Sequence, residues 1–184
     1  MKSSKLIAGV DEVGRGSLIG SVFSAAVILN NAVSFSELKD SKKLNARTRA
    51  KLANEIIKQS LCVSIGIATK DEIDAINIHN ATLLSMKRAI YNLRIKPDFA
   101  QIDGLYAPEI EMCSECIVQG DSKIPQISAA SIIAKVARDI EMNYLHEKFE
   151  MYNFKQNNGY GTRQHLSAIE CFGKTIYHRE SFIK

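Results

Sequence analysis

The chain has 184 residues, 46% hydrophobic and 24% charged, with a formal net charge of +4, which suits one domain with a sizeable buried core. No apolar run approaches the roughly 18 residues of a membrane span, and the start, Met1-Lys2-Ser3-Ser4-Lys5, carries no signal-peptide core. Four scattered cysteines form no disulfide framework, and Cys113-Ser114-Glu115-Cys116 lacks the second close pair that zinc requires, so a cytoplasmic protein is expected.

Leu6 to Val10 reads as a buried strand running into Asp11 and Glu12 and then Gly14-Arg15-Gly16. Two adjacent acids at a strand end repel each other, which is tolerable in solvent or around a cation. The glycines allow a sharp turn and close approach of a ligand to the main chain, and Arg15 is a planar donor suited to phosphate or sugar oxygens. An acidic surface turn in which Arg15 neutralises its neighbour fits these residues equally well.

Gly20 to Leu29 is a second apolar run, expected to hairpin onto the first. Between Lys39 and Lys58 stand seven basic residues and two acids, a pattern shared by solvated helix faces and phosphate-backbone footprints. Asn45 is a good N-cap for a helix over 46–59 with Leu52, Ala53 and Ile56 inward. Residues 61–69 read as a third strand, 70–76 as a short helix, and 80–93 as a longer one with Leu83, Leu84, Met86, Ala89, Ile90 and Leu93 on its apolar face. Phe99 to Ile102 forms a strand that delivers Asp103-Gly104, and 117–119 a short strand before Gly120-Asp121. A long helix follows, from about Ala129 to Phe149, with Ile132, Ile133, Val136, Ile140 and Leu145 inward. A glycine-rich loop over 157–162 and a helix over 164–172 complete the order. His79 and His146 carry no signal.

Asp11, Glu12, Asp103 and Asp121 all stand where an apolar strand gives way to a glycine or a turn. Gathered together, four carboxylates would repel by several kcal/mol unless a divalent cation held them. Oxygen-only ligands select Mg²⁺ or Mn²⁺, and two such ions can bind the attacking water and the leaving oxygen of a phosphodiester. Competing glycine-loop readings are weaker. Gly9 to Gly14 has the glycine spacing of a P-loop but not its Lys-Ser/Thr, and Gly14, Gly16 and Gly20 only approach a dinucleotide fingerprint.

The blocks G-V-D-E-x-G-R-G (9–16), D-S-K-K-L (40–44), I-D-G (102–104), G-D (120–121), A-A-S-I-I-A-K-V-x-R-D (129–139), G-Y-G-T-x-x-H (159–165) and H-R-x-S-F (178–182) together resemble the type 2 ribonucleases H, specifically the ribonuclease HII family. The resemblance implies an α/β, RNase H-like fold: a mixed central β-sheet flanked by helices, with a C-terminal helical part, as a single catalytic domain over 1–184. It implies endonucleolytic cleavage of the RNA strand of RNA–DNA hybrids. It also implies nicking of duplex DNA 5′ of embedded ribonucleotides, leaving 3′-hydroxyl and 5′-phosphate ends, by a monomer using Mg²⁺ or Mn²⁺. Asp11, Glu12, Asp103 and Asp121 fall on the family's catalytic, metal-binding tetrad. Gly14, Arg15 and Gly16 fall on the turn that senses the ribose 2′-hydroxyl. Lys42 and Lys43 fall on backbone-contacting positions, and Tyr160 on the tyrosine that packs against the sugar on the DNA side. Arg138, Asp139, His165 and Arg179 also match, and structural ion pairs or hydrogen bonds are expected of them. Val13 stands where alanine is usual, and Ser17 and Ser21 replace prolines, which should change loop rigidity more than chemistry.

Overall fold

The computed structural model describes residues 5–30 and 45–183; Lys42 and Lys43 lie outside the described residues. Strand β1 (Ile7–Val13) is the centre of a five-stranded sheet. Beside it runs β2 (Val22–Ile28), antiparallel, and beyond that β3 (Cys62–Ala68), also antiparallel. On the other side lie β4 (Phe99–Asp103) and β5 (Ser114–Ile117), both parallel to β1, giving the order β3-β2-β1-β4-β5. This is the mixed sheet expected of an RNase H-like α/β fold.

Every residue of β2 is buried, the signature of a strand covered on both faces. Helices α1 (Ala46–Gln59) and α4 (Pro125–Lys148) cover one face, where Ala25 and Val27 meet Leu52, Ile56, Ala129 and Ile133. Helix α2 (Lys70–Tyr91) covers the other, where Val10, Ala26 and Ile102 meet Met86, Ala89 and Ile90. The short α3 (Gly120–Lys123) precedes α4, and α5 (Phe154–Asn157) and α6 (Arg163–Phe172) form the C-terminal helical part. The outer edge of β3 is blunted by side chains: Asn92 donates to the Ile65 carbonyl at 2.9 Å and Arg88 to that of Ile67 at 2.7 Å. Among the described residues no helix is long and apolar enough to cross a membrane.

Local chemistry explains most boundaries. The Asn45 side chain accepts from Thr48 N–H, and Thr69 and Glu72 form a reciprocal capping box. Asn77, with φ 68°, breaks α2 into the two helical pieces expected, and its side chain caps the second through Asn80 N–H. Pro125 occupies the first turn of α4, so that helix begins a turn earlier than expected. The last strand ends at Ile117 rather than spanning 117–119, because Gln119 adopts a left-handed φ of 56°.

Two buried faces differ from the apolar pattern. Thr82 and Ser85 are buried on α2, with the Ser85 hydroxyl bonded to that of Ser24 at 2.6 Å, whereas Leu83 and Leu84 are only half-buried. Ile140, expected inward, is 64% exposed. Ala134, Arg138, Met142 and Leu145 form the inward stripe, and Ile140 lies two residues from Arg138, on the far side of the helix.

Gly9 sets how closely α4 approaches the sheet: a Cβ there would overlap the main chain of Gln126 and Ile127 in the first turn of α4. Gly9→Ala should therefore destabilise the fold by about 1–3 kcal/mol through forced separation of β1 and α4. Urea denaturation checks this, with an unchanged midpoint as the contrary outcome.

Candidate active site

The parallel register pairs Val10 with Ile102, so Asp11 and Asp103 emerge side by side at the carboxyl ends of adjacent strands. Pleating sends Asp11 toward α4, where it hydrogen bonds with Ser131, and Glu12 toward α2. Gly120 N–H donates to Asp103 Oδ1 at 2.6 Å, which ties the start of α3, and hence Asp121, to the end of β4. Asp11 is 6% exposed and Asp121 is also buried.

Burial, with the neighbouring charges of Glu12 and Asp103, raises the Asp11 pKa to about 7 against opposing hydrogen bonds from Ser131 and the Glu12 backbone. Burial also raises that of Glu12; Arg15 opposes the rise and Asp103 adds to it. Arg15 Nη1 donates to Glu12 Oε1 at 3.3 Å, while buried Glu12 Oε2 has no hydrogen-bond partner among the described residues. Among those residues no three His, Cys, Asp or Glu side chains are placed to hold a metal ion between them. An orphaned carboxylate oxygen beside a buried, proton-seeking aspartate is nevertheless an arrangement that a divalent cation relieves, and its donors are all hard oxygens.

The turn after β1 is held from below. Arg179 Nη2 donates to the Gly14 carbonyl at 2.8 Å, Nη1 to that of Arg15 at 2.9 Å, and Nε to that of Gly20 at 2.9 Å. In a trans peptide N–H points opposite to C=O, so the amides of Arg15 and Gly16 face away from Arg179. Arg138 donates to the carbonyls of Ile19 and Ser21 at 2.7 and 2.8 Å and to Ser17 Oγ at 2.6 Å, and pairs with Glu141. Burial lowers the pKa of both guanidiniums, that of Arg179 to about 9 with a further contribution from Arg138, and Glu141 opposes the shift in each case. Ser17 Oγ also donates to the Ile19 carbonyl, and Ser21 N–H donates to Glu141. Hydrogen bonds that proline could not make thus pin the turn at the two positions where prolines were expected. Asp139 pairs with Arg49 of α1 at 2.9 Å, the structural role expected for it.

Tyr160 is 44% exposed and lies against the same turn. Ser17 bridges Tyr160 as a short β pair, and a Cβ on Gly16 would sit 3.5 Å from the Tyr160 ring. A histidine relay fixes its backbone. His178 Nδ1 accepts from Thr175 N–H at 2.8 Å, so its Nε2 carries the proton and donates to His165 Nε2 at 3.0 Å. His165 Nδ1 then donates to the Tyr160 carbonyl at 2.9 Å.

The structure thus brings Asp11, Glu12 and Asp103 together, ties the start of α3, which carries Asp121, to Asp103, and sets Gly16 against Tyr160. Ser131, Glu141 and the partnership of His178 with His165 were not singled out from sequence. Only Glu141, three residues after Arg138 on one helix, left a spacing signal.

A mixed sheet with carboxylates at the ends of two adjacent parallel strands is the frame of an RNase H-like nuclease. The ribonuclease HII family model matches residues 8–184. A ribonuclease HII from Pelagibacter ubique is 52% identical over 179 residues, covering 97% of this chain and 96% of that protein. A ribonuclease H2 from Pyrococcus horikoshii superposes with a TM-score of 0.82 at 26% identity, covering 95% and 92% of the two chains. The ribonuclease HII in a PCNA complex from Archaeoglobus fulgidus gives a TM-score of 0.82 at 26% identity, covering 97% and 96%. The chain belongs to the ribonuclease HII family of ribonuclease H endonucleases, a divalent-metal-dependent family that acts on RNA–DNA hybrids.

Two measurements check the electrostatics. With chelator present, the contribution of Asp11 to stability should fall as pH rises from about 4 to about 7, because folded Asp11 retains a proton that the unfolded chain has lost. Asp11→Asn should remove that slope and stabilise the metal-free protein at pH 8 by on the order of 2–4 kcal/mol, read by urea titration. The histidines act oppositely: burial, with the charge of His165, depresses the His178 pKa to about 4. The contribution of the neutral pair is complete above the ordinary histidine pKa of ~6.5 and is lost as pH falls toward about 4. His178→Gln should flatten this acid limb; an unchanged limb would contradict the relay.

Proposed function

We propose that this enzyme nicks duplex DNA on the 5′ side of an embedded ribonucleotide, and cuts the RNA strand of hybrids, leaving 3′-hydroxyl and 5′-phosphate ends. It acts as a monomeric single catalytic domain in the cytoplasm. The carrying observation is the adjacency of two unlike devices: the Asp11, Glu12 and Asp103 cluster with its orphaned oxygen, and the turn whose outward amides lie beside Tyr160.

In this reading Asp11, Glu12, Asp103 and Asp121 hold Mg²⁺ or Mn²⁺. Bound there, two such ions supply an activated water and stabilise the leaving oxygen. The amides of Arg15 and Gly16 meet the 2′-hydroxyl, which offers both a donor and an acceptor that deoxyribose lacks. Each such hydrogen bond discriminates by about 0.5–1.5 kcal/mol, without reading the base. Tyr160 packs on the next sugar, so the scissile phosphate is centred over the acids. Arg15, now paired with Glu12, becomes available to a phosphate oxygen when cations neutralise that carboxylate. Lys42 and Lys43 add backbone contacts in this scheme.

The test is a duplex carrying one ribonucleotide, incubated with Mg²⁺ or Mn²⁺ and in parallel with chelator. A metal-dependent nick whose upstream fragment a polymerase can extend is expected, with an all-DNA duplex left intact. Asp103→Asn should reduce cutting by about 10²–10³-fold with substrate affinity largely retained, as removal of a transition-state electrostatic group does. Metal-independent cutting, or full activity in Asp103→Asn, contradicts the reading.

A further inference from the structure

A shallow groove leaves the acidic cluster on the α2 side, with Glu12, Arg15 and Asp103 on one wall and His79, Leu105 and Tyr106 on the other. The second wall is unusual in its chemistry. Leu105 is 69% exposed and Tyr106 61% exposed, two large side chains presented to water directly after a catalytic-strand aspartate. Burying such groups in a complex is favourable, so their exposure beside a site is informative where isolated exposure is not.

Backbone features on both sides build this wall. Gly104, with φ +101°, turns the chain out of β4 and has no atom within 4 Å of where a Cβ would stand, so the loop projects beyond the sheet. The break at Asn77 restarts α2 and puts His79 in the first turn of the new segment. There its ring meets the Tyr106 ring edge-on, 4.9 Å between centroids at 84°, which bridges α2 to the loop after β4.

We propose that His79, Leu105 and Tyr106 form a shelf that receives the sugar of the nucleotide on the 5′ side of the cut, on the strand being cleaved. The inference rests on the nuclease reading given above and extends it. Tyr160 and Gly16 hold the ribonucleotide end of the strand, and the groove is continuous with the acids that centre the scissile phosphate. A strand laid over the acids from Tyr160 therefore reaches the shelf with its next nucleotide upstream. In a duplex the base faces stay stacked on one another, so the sugar–phosphate backbone is the part of the strand left for the shelf to meet. Apolar and aromatic surface at this position matches the C–H face of a sugar. Arg15, at the mouth of the groove, marks where the backbone crosses it.

The test is a protein–substrate double-mutant cycle. Duplexes with one ribonucleotide carry either the ordinary deoxyribose or a 2′-O-methyl ribose at the nucleotide 5′ of it; a control carries the methyl group on the 3′ side. The unaltered chain should lose about tenfold in kcat/KM when the 5′ methyl group crowds the shelf, the scale of one aromatic contact. Tyr106→Ala should raise KM about five- to tenfold on the ordinary duplex with kcat within about twofold, and the 5′ penalty should shrink to under about twofold. Tyr106→Phe should behave as the unaltered chain, and His79→Ala should give the Tyr106→Ala pattern more weakly. The 3′ penalty should not change in any variant. Equal 5′ penalties in Tyr106→Ala and the unaltered chain overturn the shelf while leaving the nuclease reading standing. Failure of the unaltered chain to nick the ordinary duplex overturns that reading itself.

Discussion

Two guanidinium groups buried under one turn are the constraint on which this site depends. Arg138 reaches the β1–β2 connection from α4, and Arg179 from the C-terminal tail, and between them they take the carbonyls of Gly14, Arg15, Ile19, Gly20 and Ser21. Burying two like charges together is costly, and burial leads the causes that lower the pKa of each. Converging carbonyls and the Glu141 carboxylate offset that cost. Removing one partner from such a group costs about 3–5 kcal/mol, because a charge or a set of carbonyls is left bare. The turn is therefore determined by elements more than a hundred residues away in sequence, and its outward amides are a consequence of where its carbonyls are held.

The acids obey the opposite logic. Parallel pairing of β1 with β4 forces Asp11 next to Asp103, and the pleat alone separates Asp11 from Glu12. Burial, with the charges of Glu12 and Asp103, raises the proton affinity of Asp11. The packed faces of the sheet, with Gly9 letting α4 approach closely, supply the stability against which this repulsion is set. One half of the site is thus rigid and internally satisfied, and the other is held under repulsion that a cation would relieve.

The two halves also differ in how legible they were in the sequence. Asp11, Glu12 and Asp103 could be read because strand ends followed by glycine are local patterns, and the order and nature of the strands followed from apolar runs. Arg138 could not be placed, because periodicity rewards apolar residues: Ile140 took the inward position on paper, while the real stripe runs through an arginine most of whose partners lie in the β1–β2 connection. Thr82 and Ser85 were hidden for the same reason, since their burial depends on mates such as Ser24. The pairing of His165 with His178 requires the tail to fold back on α6, which no local spacing records. Whole-chain resemblance marked Arg138, His165 and Arg179 as positions of interest without showing what they touch.

Under the proposed function, Tyr160 is where these long-range contacts would become selectivity. Its carbonyl is bound by His165, its strand segment is bridged to Ser17, and Ser17 is in turn bonded by Arg138. The Tyr160 ring and the turn it faces are therefore parts of one hydrogen-bonded frame. In the proposed reading, discrimination between ribose and deoxyribose would rest on a single oxygen, and a contact worth only about 0.5–1.5 kcal/mol is lost if donor and ring drift by an ångström. A rigid frame would preserve that difference while the carboxylates beside it closed around their ions. Hanging such a sensor on buried arginines and a neutral histidine pair, rather than on the acids, would separate recognition from the charge changes that metal binding imposes.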